Sequence, residues 1–212
     1  MSLALLHTSP VHVPVFDALR DAHHPGLVLR HLVHKDLLDR AGVQGPETVT
    51  GDVEALVAAA VADGATAVLC TCSTIGGVAE SVGARLGVPV LRVDRPMAAA
   101  AVRAGRVTVL AALHSTLEPT CALLAQEAEQ AGEPGLEVRT VLVDGAWERF
   151  EAGDHDGYLD LVAAAVDAVT EADVIVLAQA SMAGAVTRTA TRIPVLSSPR
   201  PGLDAAAAAA AH

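Results

Sequence analysis

Short apolar runs alternate along the chain with longer segments of mixed polarity, the pattern of strands followed by helices in an α/β protein. Leu3 to Leu6 is the first run, and it ends in His7-Thr8-Ser9-Pro10, where two hydroxyls and a proline suit a helix start before a helix over Val13 to Ala22. His23-His24-Pro25-Gly26 punctuates, and Leu27 to Val33 reads as a second strand. Asp52 to Ala62 has helical composition. Ala67 to Cys70 reads as a buried strand, Val88 to Val93 as another, and Pro96 opens an alanine-rich helix. The order then restarts. Val107 to Leu113 is an apolar run closed by His114-Ser115-Thr116, and Ser115 with Glu118 fits a capping box for a helix reaching Ala131. A strand over Leu136 to Val143 follows, then a polar stretch from Asp144 to His155 that holds the only Trp and suits a loop or short helix near the surface. Leu159 to Val169 is helical in composition, Val174 to Leu177 is strand-like, and Ile193 to Leu196 is the last strand. Ala205 to Ala211 is low in complexity and strongly helix-favouring.

The restart is marked by particular residues as well as by pattern. His7 precedes Cys72 by 65 residues (72 − 7), and His114 precedes Gln179 by 65 (179 − 114), so His-Thr-Ser and His-Ser-Thr take equivalent places. L-V-A-A-A-V occurs at Leu56 to Val61 and again at Leu161 to Val166, and P-V-L-R-V-D-R-P at Pro89 to Pro96 is echoed by P-V-L-S-S-P-R-P at Pro194 to Pro201. We therefore expect an α/β fold of two pseudo-symmetric halves, each a parallel sheet flanked by helices. Residues 1–96 form the first half with Cys72, 97–202 the second with Gln179, and 203–212 an alanine-rich C-terminal helix. Parallel sheets of this kind take ligands outside the carboxyl ends of their strands, and halves that face each other would place the site in a cleft between them.

Composition narrows the functional classes. The 212 residues are 52% hydrophobic, enough for a substantial core and too apolar for disorder. A net charge of -11 disfavours nucleic acid and anionic membrane surfaces as partners. No basic region precedes an apolar amino-terminal stretch, and the longest apolar windows are interrupted by Asp63 or Asp173, so neither a signal peptide nor a membrane span is indicated and a cytoplasmic location is expected. Three cysteines, with Cys70 and Cys72 in a C-T-C that is neither a zinc nor a redox spacing, read as reduced thiols.

Candidate chemistry concentrates in A-V-L-C-T-C-S-T-I-G-G, Ala67 to Gly77. Its turn after a buried strand would set Cys72 among backbone N–H groups at the carboxyl end of a sheet. The duplicated turns add Thr8, Ser9, Ser73 and Thr74 from the first half and Ser115, Thr116, Gln179 and Ser181 from the second. Such neutral hydroxyls and amides at helix starts can hold a small carboxylate despite the acidic chain. Cys70, two residues from Val68 along a strand, and Cys121, at helical spacing from Leu117 and Leu124, read as core. Asp94 reads as a solvated loop carboxylate. His23, His24, His31 and His34 lack a clustered carboxylate or a conventional ligand spacing, so no metal is expected. Gly76-Gly77 is not a phosphate loop, and no organic cofactor is implied.

The C-S-T-I-G-G turn, the H-T-S-P start, Leu117-Glu118-Pro119-Thr120 and the A-Q-A-S-M segment together resemble the aspartate/glutamate racemase superfamily, which includes amino-acid and hydantoin racemases, arylmalonate decarboxylases and maleate isomerases. The resemblance runs from Leu3 to Gly202. It implies a cofactor-independent isomerase or lyase acting on a small carboxylate, and a homo-oligomer. In the racemases two cysteines, one from each half, flank the substrate α-carbon. Cys72 matches the first, but Gln179 stands where the second belongs, and an amide cannot exchange a proton near neutral pH as a thiol can. Three chemistries stay open. Cys72 could act as general acid/base on a carbanion or enediolate, although the decarboxylases keep their single thiol in the second half. Its thiolate could instead add to an electron-poor carbon, as in the maleate isomerases. Or Cys72 could be joined by a histidine, His114 or His7, as second base. A catalytically lapsed member that binds a small metabolite is the competing reading.

Overall fold

Alternating strands and helices of this length wind into parallel sheets, because each parallel pairing needs a crossover that a helix supplies. The computed structural model describes residues 2–211. Its first half runs β1 (Ser2–His7), α1 (His12–His23), β2 (Val28–Val33), α2 (Lys35–Gln44), a 3₁₀ turn at Pro46–Val49, α3 (Thr50–Ala62), β3 (Ala67–Cys70), α4 (Gly76–Leu86) and β4 (Val90–Arg92). The second runs α5 (Arg95–Ala101), β5 (Arg106–Ala111), α6 (His114–Ala131), β6 (Glu137–Leu142), α7 (Ala146–Glu151), α8 (His155–Asp167), β7 (Val174–Leu177), a 3₁₀ segment at Ala180–Thr187 and β8 (Val195–Ser197), followed by α9 (Pro199–Ala210). Two four-stranded sheets result, ordered β2-β1-β3-β4 and β6-β5-β7-β8, with every pairing parallel.

Burial explains which strands sit inside. All residues of β3 (Ala-Val-Leu-Cys) and β7 (Val-Ile-Val-Leu) are buried, as the second-from-edge strands of a sheet covered on both faces must be. The edge strands β2 and β6 are largely exposed. In the first sheet the period of two sends Ala4, Leu6, Val68 and Cys70 to one face, against Val53 and Val57 of α3 and Val78 and Val82 of α4. Leu3, Leu5 and Leu69 go to the other, against Phe16 of α1 and Leu203, Ala206 and Ala210 of α9. The second sheet packs Val107, Val109 and Val176 against Met97 and Ala98 of α5 and Leu123 and Leu124 of α6. Its opposite face meets Tyr158 and Val162 of α8.

The chain divides into two compact units, one holding the residues up to Asp94 together with those from Pro199 onward, the other Arg95 to Ser198. The helix after β4 therefore belongs to the second unit, and the helix after β8 to the first. The alanine-rich tail expected over 203–212 begins four residues earlier, at Pro199, and lies on the first sheet. Gly202 marks the closeness of that packing, since a Cβ there would fall 2.4 Å from the Val93 carbonyl oxygen.

Several local expectations change. The apolar pattern did not single out α2, because only Leu37 and Ala41 of its ten residues are buried. The Ser115–Glu118 capping box does not form: α6 starts one residue earlier, at His114, with Leu113 in the cap position. Thr8 and Ser9 do not cap α1, whose preceding residue is Val11. Cys121 is partly exposed on α6 instead of lying in the core. No described helix is long and apolar enough to cross a membrane.

One core cluster is polar. His7 continues the face of Leu3 and Leu5 and is fully buried, packed by the rings of Phe16, His12 and His31. Its Nδ1 is 2.7 Å from Thr71 Oγ1. Thr71 donates its own hydroxyl proton to the Leu6 carbonyl, so Thr71 Oγ1 accepts from His7 Nδ1–H. His7 Nε2 is then left to accept from His31 Nδ1, 2.8 Å away. Burial, helped by the neighbouring His12 and His31 rings, lowers the His7 pKa to about 3, and burial alone lowers that of His12 to about 4.

Two predictions follow from this packing. Gly202→Ala destabilises the protein by about 1–3 kcal/mol in urea denaturation, because backbone and not a flexible side chain stands in the way. Gly51→Ala, where nothing lies within 4 Å of the added carbon, is neutral or stabilising by up to about 1 kcal/mol. Acid should also unfold the protein through its histidines. The unfolded chain binds protons near pH 6.5, whereas folded His7 and His12 do not until about pH 3 and 4, so stability is full above 6.5 and falls as pH drops. Each group steepens that fall by up to about 1.4 kcal/mol per pH unit. His7→Gln makes the pH dependence of unfolding free energy shallower by one proton; an unchanged slope between pH 6 and 4 contradicts the assignment.

Candidate functional site

The β3–α4 turn lies at the carboxyl end of the first sheet because strand pairing fixes where β3 stops. The Thr71 N–H donates to the Leu6 carbonyl at 3.0 Å, and Val93 N–H donates to the Cys70 carbonyl at 2.9 Å. Beyond these bonds the chain leaves the sheet, and Cys72, Ser73 and Thr74 lead into α4. Cys72 is 8% exposed, and Ser73 and Thr74 are likewise buried. Cys70 Sγ lies 3.6 Å from the Cys72 carbonyl oxygen, which it faces as donor. Burial raises the Cys70 thiol far above its ordinary range; Cys72 and Asp94 add to the rise, while a hydrogen bond to Cys72 and the charge of Arg92 oppose it. Cys70 is thus an inert core thiol, as the alternation along β3 implies. Thr8 and Ser9 follow β1 at the same end of this sheet, Thr8 buried and Ser9 partly so.

Two charged residues complete the turn. Arg92, opposite Cys70 in the β3–β4 register, is buried and forms a two-pronged pair with Asp94, Nε to Oδ1 at 2.7 Å and Nη2 to Oδ2 at 2.9 Å. Nη2 also reaches the Ser73 carbonyl oxygen at 3.3 Å. Asp94 is fully buried, so the solvated loop carboxylate expected from sequence is instead the counter-ion of an internal guanidinium. Burial works against the charge of Arg92, but the charge and hydrogen bonds of Asp94 outweigh it and its pKa is raised. Gly76 is required by this arrangement: a Cβ there would sit 2.9 Å from Arg92 Cβ and 3.0 Å from its Nε. Gly76 gives room to an arginine in the first turn of a helix, whereas a Cβ at Gly77 would only touch Arg92 Nη1 at 3.6 Å.

In the second unit the corresponding turn has different chemistry. Leu3 pairs with Ala67, and Val107 with Val174. Cys72, five residues past Ala67, therefore corresponds to Gln179, five past Val174, in agreement with the spacing count. The same register separates His7 from His114. His7, four past Leu3, corresponds to Ala111, four past Val107, and His114 corresponds to Pro10. The equal separations of 65 arise from an extra three residues between β5 and β7 matched by a histidine three residues further along.

Gln179 Oε1 accepts a hydrogen bond from the Ala112 backbone N–H at 2.6 Å, which ties the end of β7 to the end of β5. Ser181 Oγ and Tyr158 OH are 2.8 Å apart, and Ser181 lies on the 3₁₀ segment, not at an α-helix start. Ser115 Oγ is buried without a hydrogen-bond partner among the described residues, and Thr116 is buried in the first turn of α6. His114 is exposed at the first position of that helix. His7, with both ring nitrogens engaged in the core, is not a free base.

The structure thus gathers Cys72, Ser73 and Thr74 with Arg92 and Asp94 at one turn of the first sheet, and Gln179 with Ala112 at the matching edge of the second. Sequence reasoning missed Arg92. Its signal was R-V-D at the end of a strand, where alternation places arginine and aspartate on one side.

The Asp/Glu/Hydantoin racemase family profile matches residues 13–212. Among curated proteins none matches. Solved structures of similar fold include glutamate racemase RacE1 of Bacillus anthracis, 14% identical, with a TM-score of 0.76 over 98% of this chain and 80% of that one. The aspartate racemase of Picrophilus torridus is 13% identical, with a TM-score of 0.70 over 99% and 94%. A mutant of arylmalonate decarboxylase in its sulfate-associated form is 19% identical, with a TM-score of 0.65 over 100% and 94%. At these identities the structures establish likeness of fold, and the match to the family across nearly the whole sequence carries the further conclusion: the chain belongs to the Asp/Glu/Hydantoin racemase family.

Proposed function

We propose that the protein is a cofactor-independent isomerase or lyase that works at a carbon atom of a small carboxylate, with Cys72 as its one reacting thiol. The observation that carries this reading is the register: Cys72 and Gln179 occupy corresponding positions past β3 and β7, and one holds sulfur while the other is an amide engaged by Ala112 N–H. A racemase with a thiol on each side of the α-carbon needs a second proton-exchanging group where Gln179 stands. The remaining roles open to Cys72 are proton transfer to or from a carbanion-like carbon, as in a decarboxylase, and thiolate addition to an electron-poor double bond.

The carboxylate-holding donors proposed within each unit are Thr8, Ser9, Ser73 and Thr74 with the N-terminal amides of α4 in the first, and Ser115, Thr116, Gln179 and Ser181 in the second. Their donors favour a carboxylate without adding net charge. His114 is kept as an exposed candidate acid/base, and His7 is set aside because its ring is buried and depressed to a pKa of about 3. A reducing, cytoplasmic setting suits the three free cysteines.

The test is exchange of substrate carbon-bound hydrogen in heavy water, or loss of carbon dioxide, across amino acids, hydantoins, substituted malonates and unsaturated dicarboxylates. Wild type should turn over at least one class, and Cys72→Ala should lower that rate by about 10²-fold or more. Turnover that survives the substitution removes Cys72 from the mechanism. Racemisation of a free amino acid at a rate equal to its deuterium exchange would show that a second base works with Cys72, for which His114 is the candidate, and would overturn the decarboxylase-like and addition readings.

A further inference from the structure

We propose that Arg92 and Asp94 act as positioning residues for Cys72, holding the turn that presents it and setting by their opposed charges how readily its thiol reacts. This inference rests on the reading of Cys72 as the working thiol.

The geometry that supports it is local and specific. Arg92 is buried under the turn and bonds to the carbonyl of Ser73, the residue that directly follows Cys72. Its guanidinium lies against Gly76 and Gly77 in the first turn of α4, so a full positive charge and the positive end of the helix dipole share one place. Bringing a cation to that end of a helix is unfavourable, and Asp94 offsets it through two hydrogen bonds. A packed hydrophobic pair would hold the turn with no such conflict of charges.

The second half supplies the contrast. Val90 pairs with Val68, and Val195 with Ile175, so Arg92 corresponds to Ser197 and Asp94 to Pro199. The ion pair occurs beside the turn with the thiol and has no counterpart beside the turn with the amide.

Among the described residues, the charged and titratable groups tied to this turn are Arg92 and Asp94 from the β4 end and Cys70 from β3, with Glu80 of α4 acting through Arg92. Arg92 and Asp94 already act on the adjacent Cys70 in opposite senses, the cation favouring thiolate and the carboxylate disfavouring it. Glu80 exerts its charge on Arg92 from α4. Removing a carboxylate from this set should ease ionisation of a neighbouring thiol, and removing the cation should hinder it.

Iodoacetamide alkylation of Cys72 in the intact protein, located by fragment-ion mass spectrometry and followed across pH, tests this without any substrate. Asp94→Asn keeps the size of the side chain and removes its charge. It should move the alkylation profile to lower pH and raise the rate at pH 7 about threefold, because loss of the carboxylate favours the thiolate by more than the accompanying fall in nucleophilicity slows attack. Arg92→Met should move the profile to higher pH and lower the rate by a similar factor, and Arg92→Lys, which retains the charge, should recover most of it. Glu80→Gln, outside the core, should act in the same direction as Asp94→Asn with a smaller effect and serves if the buried variants fail to fold. Merely loosening the turn would shift both Asp94→Asn and Arg92→Met the same way, and that result, or an unmoved profile in cooperatively folded variants, overturns the proposal. Failure of Cys72→Ala to abolish turnover would leave these opposite shifts in place, so the two readings fail separately.

Discussion

The hydrogen bonds that end the β1–β3 and β5–β7 pairings are what the rest of the molecule depends on. Thr71 N–H closes the first on the Leu6 carbonyl, and Ala178 N–H closes the second on that of Leu110. Each is followed at once by one of the paired turn residues, Cys72 or Gln179. Parallel strands buried on both faces cannot slip by one residue without sending a row of leucines and valines to the wrong side. A shift in either pairing would therefore move the thiol or the amide off its turn together with the core around it, so the place of each turn residue and the packing are fixed by the same register.

Much of this was legible in the amino-acid order. The strands announced themselves as apolar runs, and the duplicate halves appeared because β3 and β7 lead into turns of matched position, so that Cys72 and Gln179 could be paired by counting. The same counting failed for the histidines. Four residues separate β1 from α1, and two separate β5 from α6, so equal spacings joined residues from different structural levels. His7 ended inside the core with Thr71 and His31, and His114 ended outside on a helix. Loop length is set by local turn geometry and leaves little trace in composition.

The ion pair was hidden for another reason. Arginine and aspartate are expected at the surface, and only a partner in reach permits burial. At Arg92 and Asp94 the partners lie two residues apart, and a space for the arginine was prepared elsewhere, at Gly76. Gly76, singled out as part of a candidate turn, serves an internal contact. Its meaning required knowing that α4 and β4 pack together. The alanine-rich tail behaved similarly: composition announced a helix, but Leu203 and Gly202, not the alanines alone, determine where it docks.

The exchange of helices, α5 to the second unit and α9 to the first, bears on the order in which the protein can be made. A chain emerging from the ribosome delivers β1 to β4 early, yet Leu3, Leu5 and Leu69 share their cluster with Leu203 and Ala206. That cluster cannot close until the whole of the second unit has been synthesised. The nascent first unit therefore waits with one apolar face covered only in part, by Phe16 of α1, for more than a hundred residues of translation, and that face closes only once α9 has been made.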